Sequence, residues 1–545
     1  MKLDNFSLIY PDEQTQRDHL SGKSVPDIDM YTLQELGMLE IFNLKSRELC
    51  EFFTIDPAVI AYRNSTFADM LNNPELAETL NRLVPVLNDI TELRRLESDS
   101  AEDTNSYLSS LTEIELYISC VDILHKGLMS VSGKLKGTAF LRLADCVREL
   151  AESDYYRELN AKLSELTQRV REIKSITIGV NLDSQLHPAE AGVLSVNARP
   201  FKSGEVLDKI LRLNFKDDEY TCIANLVPFG KKQTENQKTA LSLAFNSAIN
   251  EVYKSSLRSW KKIVQTYVLE NTDFLLGLMP EIEFVTKGAQ LQKKLLDRGC
   301  PLNTPSVLPM EERVFRADKL YNPAVALKLA KDDEIVPNDI SFDRSDENAM
   351  IYVLTGPNRG GKSVITCAIG LCQVMFQLGM FLPANSITLS PVDGIYTHFP
   401  TGADDTIDKG RLGEECARLG EIFDIVSADS LVLLDESLSS TGSYEASYIA
   451  AEVLAGLSQV GCRCLFSTHL HELASEIDRI NEQASQTGGA RIDTLVAGIE
   501  GEGKRSFRIV RAKPDGKSYA RDIAERYGLT YSSIMKKIND NRKEN

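Results

Sequence analysis

Eight consecutive residues, Gly356, Pro357, Asn358, Arg359, Gly360, Gly361, Lys362 and Ser363, combine a pliant backbone with two cations and one hydroxyl. They fit the pattern G-x-x-x-x-G-K-[ST], with an apolar run from Ile351 to Thr355 before and a helical rhythm to about Gly379 after. Glycines at 356, 360 and 361 let successive backbone N–H groups curl around phosphate oxygens without Cβ clashes. A helix starting there points the positive end of its dipole at the same oxygens. Lys362 would bring a point charge to the outer phosphates, and Ser363 a hydroxyl ligand for Mg²⁺. A glycine-rich turn that binds nothing is the plainer alternative. Strand, pattern and helix together favour the phosphate site.

Two further apolar runs carry the matching chemistry. Ser430 to Leu434 is followed by Asp435 and Glu436, and such a run reads as a strand buried on both faces of a parallel sheet. Asp435 would hold Mg²⁺ through water, and Glu436 would orient and deprotonate the water that attacks the terminal phosphate. Alone this signal is weak; some seventy residues after a full phosphate loop it becomes strong. A third run, Cys464 to Ser467, ends in Thr468 and His469. Ligands sit at the carboxyl ends of parallel strands, so His469 is placed to hydrogen-bond the terminal phosphate or the attacking water. An isolated histidine is more often structural, and its strand-end position is what favours the functional reading. His471 is assigned to the start of the next helix, with no chemistry.

These residues need a large scaffold, and 545 residues suffice for about three or four domains. An apolar share of 43% and a charged share of 26% are those of an ordinary globular protein. No window reaches the about 18 uninterrupted apolar residues of a membrane span, and no apolar signal region precedes Asp12, which predicts a cytoplasmic protein without a membrane partner. Ten cysteines lie scattered. The closest pair, Cys462 and Cys464, falls in what reads as a buried strand, and no zinc spacing occurs, so buried free thiols are expected. A formal net charge of −18 argues against nucleic-acid binding over the whole surface, while leaving room for a local basic groove.

The expected fold class is mixed. A helical core domain with a small β-type insert is followed by an α/β P-loop ATPase domain. Residues 1–26 read as a polar tail. Over 27–175 three helical stripes recur: Leu83, Leu87, Ile90 and Leu93; then Leu108, Leu111, Ile114, Ile118 and Val121; then Leu159, Leu163, Leu166, Val170 and Ile173. The period breaks over 176–227, a stretch rich in Gly, Asn, Pro and β-branched residues. Its Arg199, Lys202, Lys209, Arg212 and Lys216 are mixed with Glu205, Asp208, Asp217, Asp218 and Glu219, so a solvated surface is preferred over a nucleic-acid contact. Helices return over 228–304, the nucleotide domain spans 305–530, and 531–545 is a charged helical tail.

The loop form Gly356-Pro-Asn-Arg-Gly-Gly-Lys-Ser363 resembles the ATPase domain of the MutS family of DNA mismatch-repair proteins. Gly379 to Ala384, Leu431 to Glu436 followed by Thr441 and Tyr444, Phe466 to His469, and Lys517 to Ala520 are similar to that family's segments at the same places. Asp29 to Leu36 resembles the start of its core domain. The likeness covers about 320–530 well and is weaker over 27–300. It implies an ABC-type ATPase using ATP and Mg²⁺, working as a homodimer with sites at the subunit interface. It also implies long lever helices ending in a DNA clamp at the 176–227 insert, and a contact from Asn358 to the phosphates or the attacking water.

The departures shape the expectation. Nothing before Asp27 leaves room for the family's mismatch-reading domain, no Phe-x-Glu reader occurs, and no nuclease-like segment follows 530. Leu412 and Gly413 fall where the family's signature serine, which contacts the partner's ATP, is expected. That leaves two alternatives: weak hydrolysis across a dimer, or a contact taken over by Arg411. After Glu436, Ser437 to Ser440 replaces a glycine- and arginine-bearing turn. The expected function is an ATP-dependent, structure-selective DNA-binding protein of repair or recombination, acting on mismatched, branched or distorted DNA. An ATP-gated protein scaffold without specific DNA binding is the alternative. A chromosome-maintenance ABC ATPase would need sustained heptads, which are not visible.

Overall fold

The computed structural model describes residues 6–99, 107–172, 174–185, 188–200, 227–228, 268–330, 334–357, 360–399, 411–438, 442–470, 473–500, 504–512 and 528–536. They fall into two compact units, one built chiefly from Asn73–Lys136 and Phe140–Glu283, the other from Ser7–Asn72 and Phe284–Asn545. Most of the insert's cations, the stripe from Leu241 to Val264, the segment 401–410 and the Lys517 motif lie outside the described residues.

The second unit opens with α1 (Glu13–Leu20), α2 (Met30–Leu36), α3 (Met38–Ile41), α4 (Ser46–Cys50) and α5 (Pro57–Asn72). Helix α2 starts because the Asp29 side chain accepts the Thr32 N–H at 2.7 Å, and stops at Gly37, whose φ of +80° few other residues tolerate.

The first unit holds α6 (Pro74–Asp99), α7 (Tyr107–Val131), α8 (Thr138–Glu152) and α9 (Asp154–Glu172). A sheet of β1 (Ser175–Leu182), β2 (Pro188–Asn197) and β3 (Val227–Pro228) follows, then α10 (Leu269–Gly277). Helices α6 and α7 pack together, burying Leu83, Leu87 and Ile90 of one and Ile114, Ile118 and Val121 of the other. Each such side chain contributes about 1.5–3 kcal/mol on burial. Arg94 on α6 then pairs with buried Glu113 on α7 at 2.7 Å and with Asp273 on α10, so one guanidinium links three helices. Strands β1 and β2 form an antiparallel hairpin, with Ser175 opposite Asn197.

Chain order continues with α11 (Met279–Leu296), β4 (Ser306–Val307), β5 (Phe315–Leu320), α12 (Pro323–Lys328), β6 (Asn338–Phe342), β7 (Ile351–Thr355) and α13 (Lys362–Gln377). Then come β8 (Ser386–Leu389), β9 (Ile395–His398), α14 (Arg411–Ile425), β10 (Leu431–Asp435), α15 (Ser443–Val460), β11 (Arg463–Ser467), α16 (Leu473–Thr487), β12 (Ile492–Glu500) and β13 (Lys504–Arg511). The large sheet has the order β13-β12-β7-β11-β10-β9 and is parallel except for β13 at one edge. A smaller sheet runs β4-β8-β5-β6.

Strands β7, β10 and β11 are buried along their whole length, as apolar runs covered on both faces must be. Ile351, Val353, Val432, Leu434, Cys464 and Phe466 point to a core closed by α14, α15 and α16. The opposite face meets α13, whose Gly370 has no room for a Cβ because Leu433 and Leu36 of α2 press against it. Segment 7–72 is therefore part of the nucleotide unit's core. Arg463, read as part of a buried strand, is wholly enclosed and donates to the carbonyls of Val314, Ser390, Pro391 and Asp429 at 3.0–3.2 Å. Burial lowers its pKa to about 10. Those carbonyls tie the two sheets together. Among the described residues no helix is long and apolar enough to cross a membrane.

Candidate active site

The parallel register decides what can meet. Asp435 stands opposite Ser467, Ser467 opposite Leu354, and Leu434 opposite His398, so four strand ends share one carboxyl edge. Ligands of open α/β sheets bind outside this edge.

At the end of β7 the chain turns through Gly356, whose φ is +143° and whose Cβ, if present, would lie 2.7 Å from that of Ala497. Only glycine fits there. Gly361, at φ +96°, starts α13, and the Ile365 N–H reaches back to its carbonyl at 3.0 Å. Pro357, Gly360, Gly361, Lys362 and Ser363 thus form the turn and first helical residues the sequence pattern requires; Asn358 and Arg359 lie outside the described residues. A half-exposed Phe507 on β13 flanks the loop, where its ring would be in van der Waals contact with any Cβ added at Gly361.

Lys362 is 4% exposed. Its Nζ donates to the carbonyls of Gly356 and Pro357 at 3.1 and 3.4 Å and lies 3.6 Å from Glu436 Oε1. Asp435 is buried at the end of β10, with Oδ1 lacking a hydrogen-bond partner among the described residues. The neighbouring Ser467 Oγ is in the same condition. Burial raises the Asp435 pKa; the Glu436 carboxylate adds to the rise and the Lys362 ammonium opposes it. An orphaned buried acceptor beside an exposed serine and a lysine is costly unless a cation or donor completes it.

Glu436 sits at φ +46° and Leu438 at φ +65°, two side-chain-bearing residues in left-handed backbone within three positions. The turn is held because the Glu436 N–H donates to the Ser467 carbonyl at 2.8 Å, Leu438 is buried, and Ser437 is bound to His398. His398, at the end of β9, was not singled out from the sequence. It is 4% exposed, and its Nδ1 lies 2.8 Å from Ser437 Oγ. Burial and the nearby Arg418 cation push its pKa down to about 4. Its only sequence signal is a polar residue ending an apolar run, the clue used for His469.

His469 is exposed just past β11, after a Thr468 whose N–H donates to the Leu354 carbonyl at 2.9 Å. No hydrogen bond of the His469 ring occurs among the described residues, and His471 lies outside them. On α14, Leu412 packs partly buried against the core and Gly413 is exposed.

This arrangement fits a nucleoside triphosphate with Mg²⁺. Glycine-shaped backbone, a helix N-terminus and Lys362 suit phosphates, while Ser363 and the orphaned Asp435 oxygen are the hard donors Mg²⁺ takes. Among the described residues no three His, Cys, Asp or Glu side chains gather to hold a metal. That suits an ion coordinated by one or two protein oxygens and by its substrate's phosphates.

Two family models match parts of this chain. Residues 352–535 match the model of MutS domain V, and residues 55–298 that of the MutS2 N-terminal domain. The DNA mismatch repair protein MutS of Leptospira interrogans is 35% identical over 172 residues, which are 31% of this chain and 20% of that protein. The DNA mismatch repair protein MSH3 of Cryptococcus neoformans is 32% identical over 204 residues, 35% of this chain and 17% of that one. The DNA mismatch repair protein Msh6 of Homo sapiens is 35% identical over 178 residues, 31% and 12%. The chain thus spans a fifth or less of the length of these curated relatives. Lys362, Asp435 and Glu436 thus lie inside a region similar to MutS domain V, and a region similar to the MutS2 N-terminal domain precedes it.

Proposed function

We propose that this chain is an ATP-hydrolysing, DNA-binding switch of the MutS type, acting in repair or recombination on mismatched, branched or otherwise distorted DNA. The observation that carries this reading is the meeting of Lys362 with Glu436, beside an orphaned Asp435 oxygen, behind a glycine loop inside the domain V match. Mg²⁺ held by Ser363 and Asp435 would neutralise phosphate charge. The loop amides and Lys362 would hold the outer phosphates, with Asn358 contacting them or the attacking water. Glu436 would take the proton from that water, and His469, exposed at its strand end, would hydrogen-bond the terminal phosphate.

Coupling to DNA would follow from the helices. Helices α6, α7 and α9 would serve as levers, and the β1–β2 hairpin with the rest of the 176–227 insert as the clamp. ATP would bias the clamp through phosphate contacts made in one state only. A homodimer is part of the reading, with one reservation built into its chemistry. Leu412, turned partly into the core, offers no hydroxyl to a partner's ATP, so trans contacts would rest on Arg411 or be weak.

The net charge of −18 favours a second reading, an ATP-gated protein scaffold. Salt separates the two. A clamp that neutralises phosphates should lose DNA affinity steeply, about tenfold or more between 50 and 200 mM salt. The absence of any DNA isotherm at the lower salt would favour the scaffold.

A further inference from the structure

We propose that His398, acting through Ser437, is a positioning residue for Glu436: the pair clamps the left-handed turn that aims this carboxylate at the phosphate loop. The proposal rests on the reading of Glu436 as the general base.

Hydrogen-bond bookkeeping leads to it. Ser437 Oγ lies 2.8 Å from His398 Nδ1 and 3.1 Å from the His398 carbonyl, to which it donates. A hydroxyl has one proton. With that proton given to the carbonyl, Ser437 Oγ must accept at Nδ1, so the imidazole carries its hydrogen on Nδ1. A neutral ring of fixed tautomer and the strand's own carbonyl thus grip one side chain by two bonds.

What they grip is strained. Glu436 and Leu438, on either side of Ser437, have φ of +46° and +65°. Such backbone persists only where its surroundings over-determine it, and it clusters where geometry serves chemistry. The Ser467 carbonyl fixes the turn from β11 and buried Leu438 anchors its far end; His398 fixes it from β9. Strand β9 is itself braced from α14, where Arg418 Nη2 donates to the Thr397 carbonyl at 3.0 Å while its guanidinium stacks on Tyr31 of α2. A continuous line of contacts runs from α14, through β9, to the turn that carries the base.

The test uses the full chain with Ser437→Ala, His398→Gln and His398→Asn. An asparagine amide nitrogen superimposes on Nδ1 and keeps the donor; a glutamine nitrogen reaches too far. Ser437→Ala and His398→Gln are expected to lower kcat for ATP about tenfold or more, with ATP Kd held within about twofold, and His398→Asn to restore most of the rate. Unchanged kcat in Ser437→Ala, or kcat and affinity falling together, would overturn the proposal. Amide hydrogen exchange at 436–438 gives a readout independent of turnover. Faster exchange confined to that turn in Ser437→Ala supports the grip, and unchanged exchange sinks it. A wild-type chain that hydrolyses no ATP would defeat the hydrolytic reading, and the exchange result would still decide the grip.

Discussion

One ammonium, that of Lys362, touches both the carbonyls of the phosphate loop and the carboxylate of Glu436. Its two neighbours imply different defects. Lys362→Ala should weaken ATP binding about a hundredfold, the size of two lost charge-assisted hydrogen bonds, as read by equilibrium titration. Glu436→Gln keeps the shape and removes the carboxylate proposed as the base. ATP should still bind while turnover falls about 10²–10⁴-fold; normal turnover would mean the base lies elsewhere. His398 makes a pH statement. Its pKa is held to about 4, below the ordinary histidine value, by burial and by Arg418, the cation facing it from α14. The unfolded chain therefore takes a proton, as pH falls from about 6.5 to 4, that the folded chain refuses. Stability from this residue is complete above 6.5 and is lost across that window, by at most about 3 kcal/mol. Denaturant titrations at pH 7 and 4.5 should show a smaller acid loss in His398→Asn than in the wild type.

At the scale of elements, the phosphate loop and the strands behind β7, β10 and β11 were legible because each is a local pattern: glycine spacing, or an apolar run ending in carboxylates or Thr-His. Helical stripes at Leu83, Leu87 and Ile90, and at Ile114, Ile118 and Val121, were legible for the same reason and are buried. Contacts set by register were not legible. His398 and Ser437 are 39 residues apart and meet only because β9 and β10 lie side by side. Nor does any spacing announce that α2 presses Leu36 onto Gly370 of α13. Arg94 offers the test at this scale. It is the guanidinium that satisfies Glu113, 8% exposed between α6 and α7, whereas Asp273 is largely in water. Arg94→Met should cost the helical unit about 1–3 kcal/mol by stranding a buried carboxylate, and Asp273→Asn much less. Chemical denaturation of the two variants compares them.

As a whole molecule, a chain of net charge −18 would have to hold an anion at one loop and a polyanion at another place. The first is physically simple, because a helix N-terminus, bare backbone amides and one buried lysine set a local potential that distant surface carboxylates, screened over about 10 Å, do not reverse. The second needs cations gathered in one groove. The central claim is that ATP chemistry at Lys362, Asp435 and Glu436 is coupled to DNA. The most direct test is steady-state ATP turnover by the purified chain, alone and with excess duplex, mismatched or branched DNA at about physiological salt. Turnover should be stimulated or suppressed by one distorted DNA form relative to plain duplex. Turnover of the same rate with every DNA and with none would contradict it.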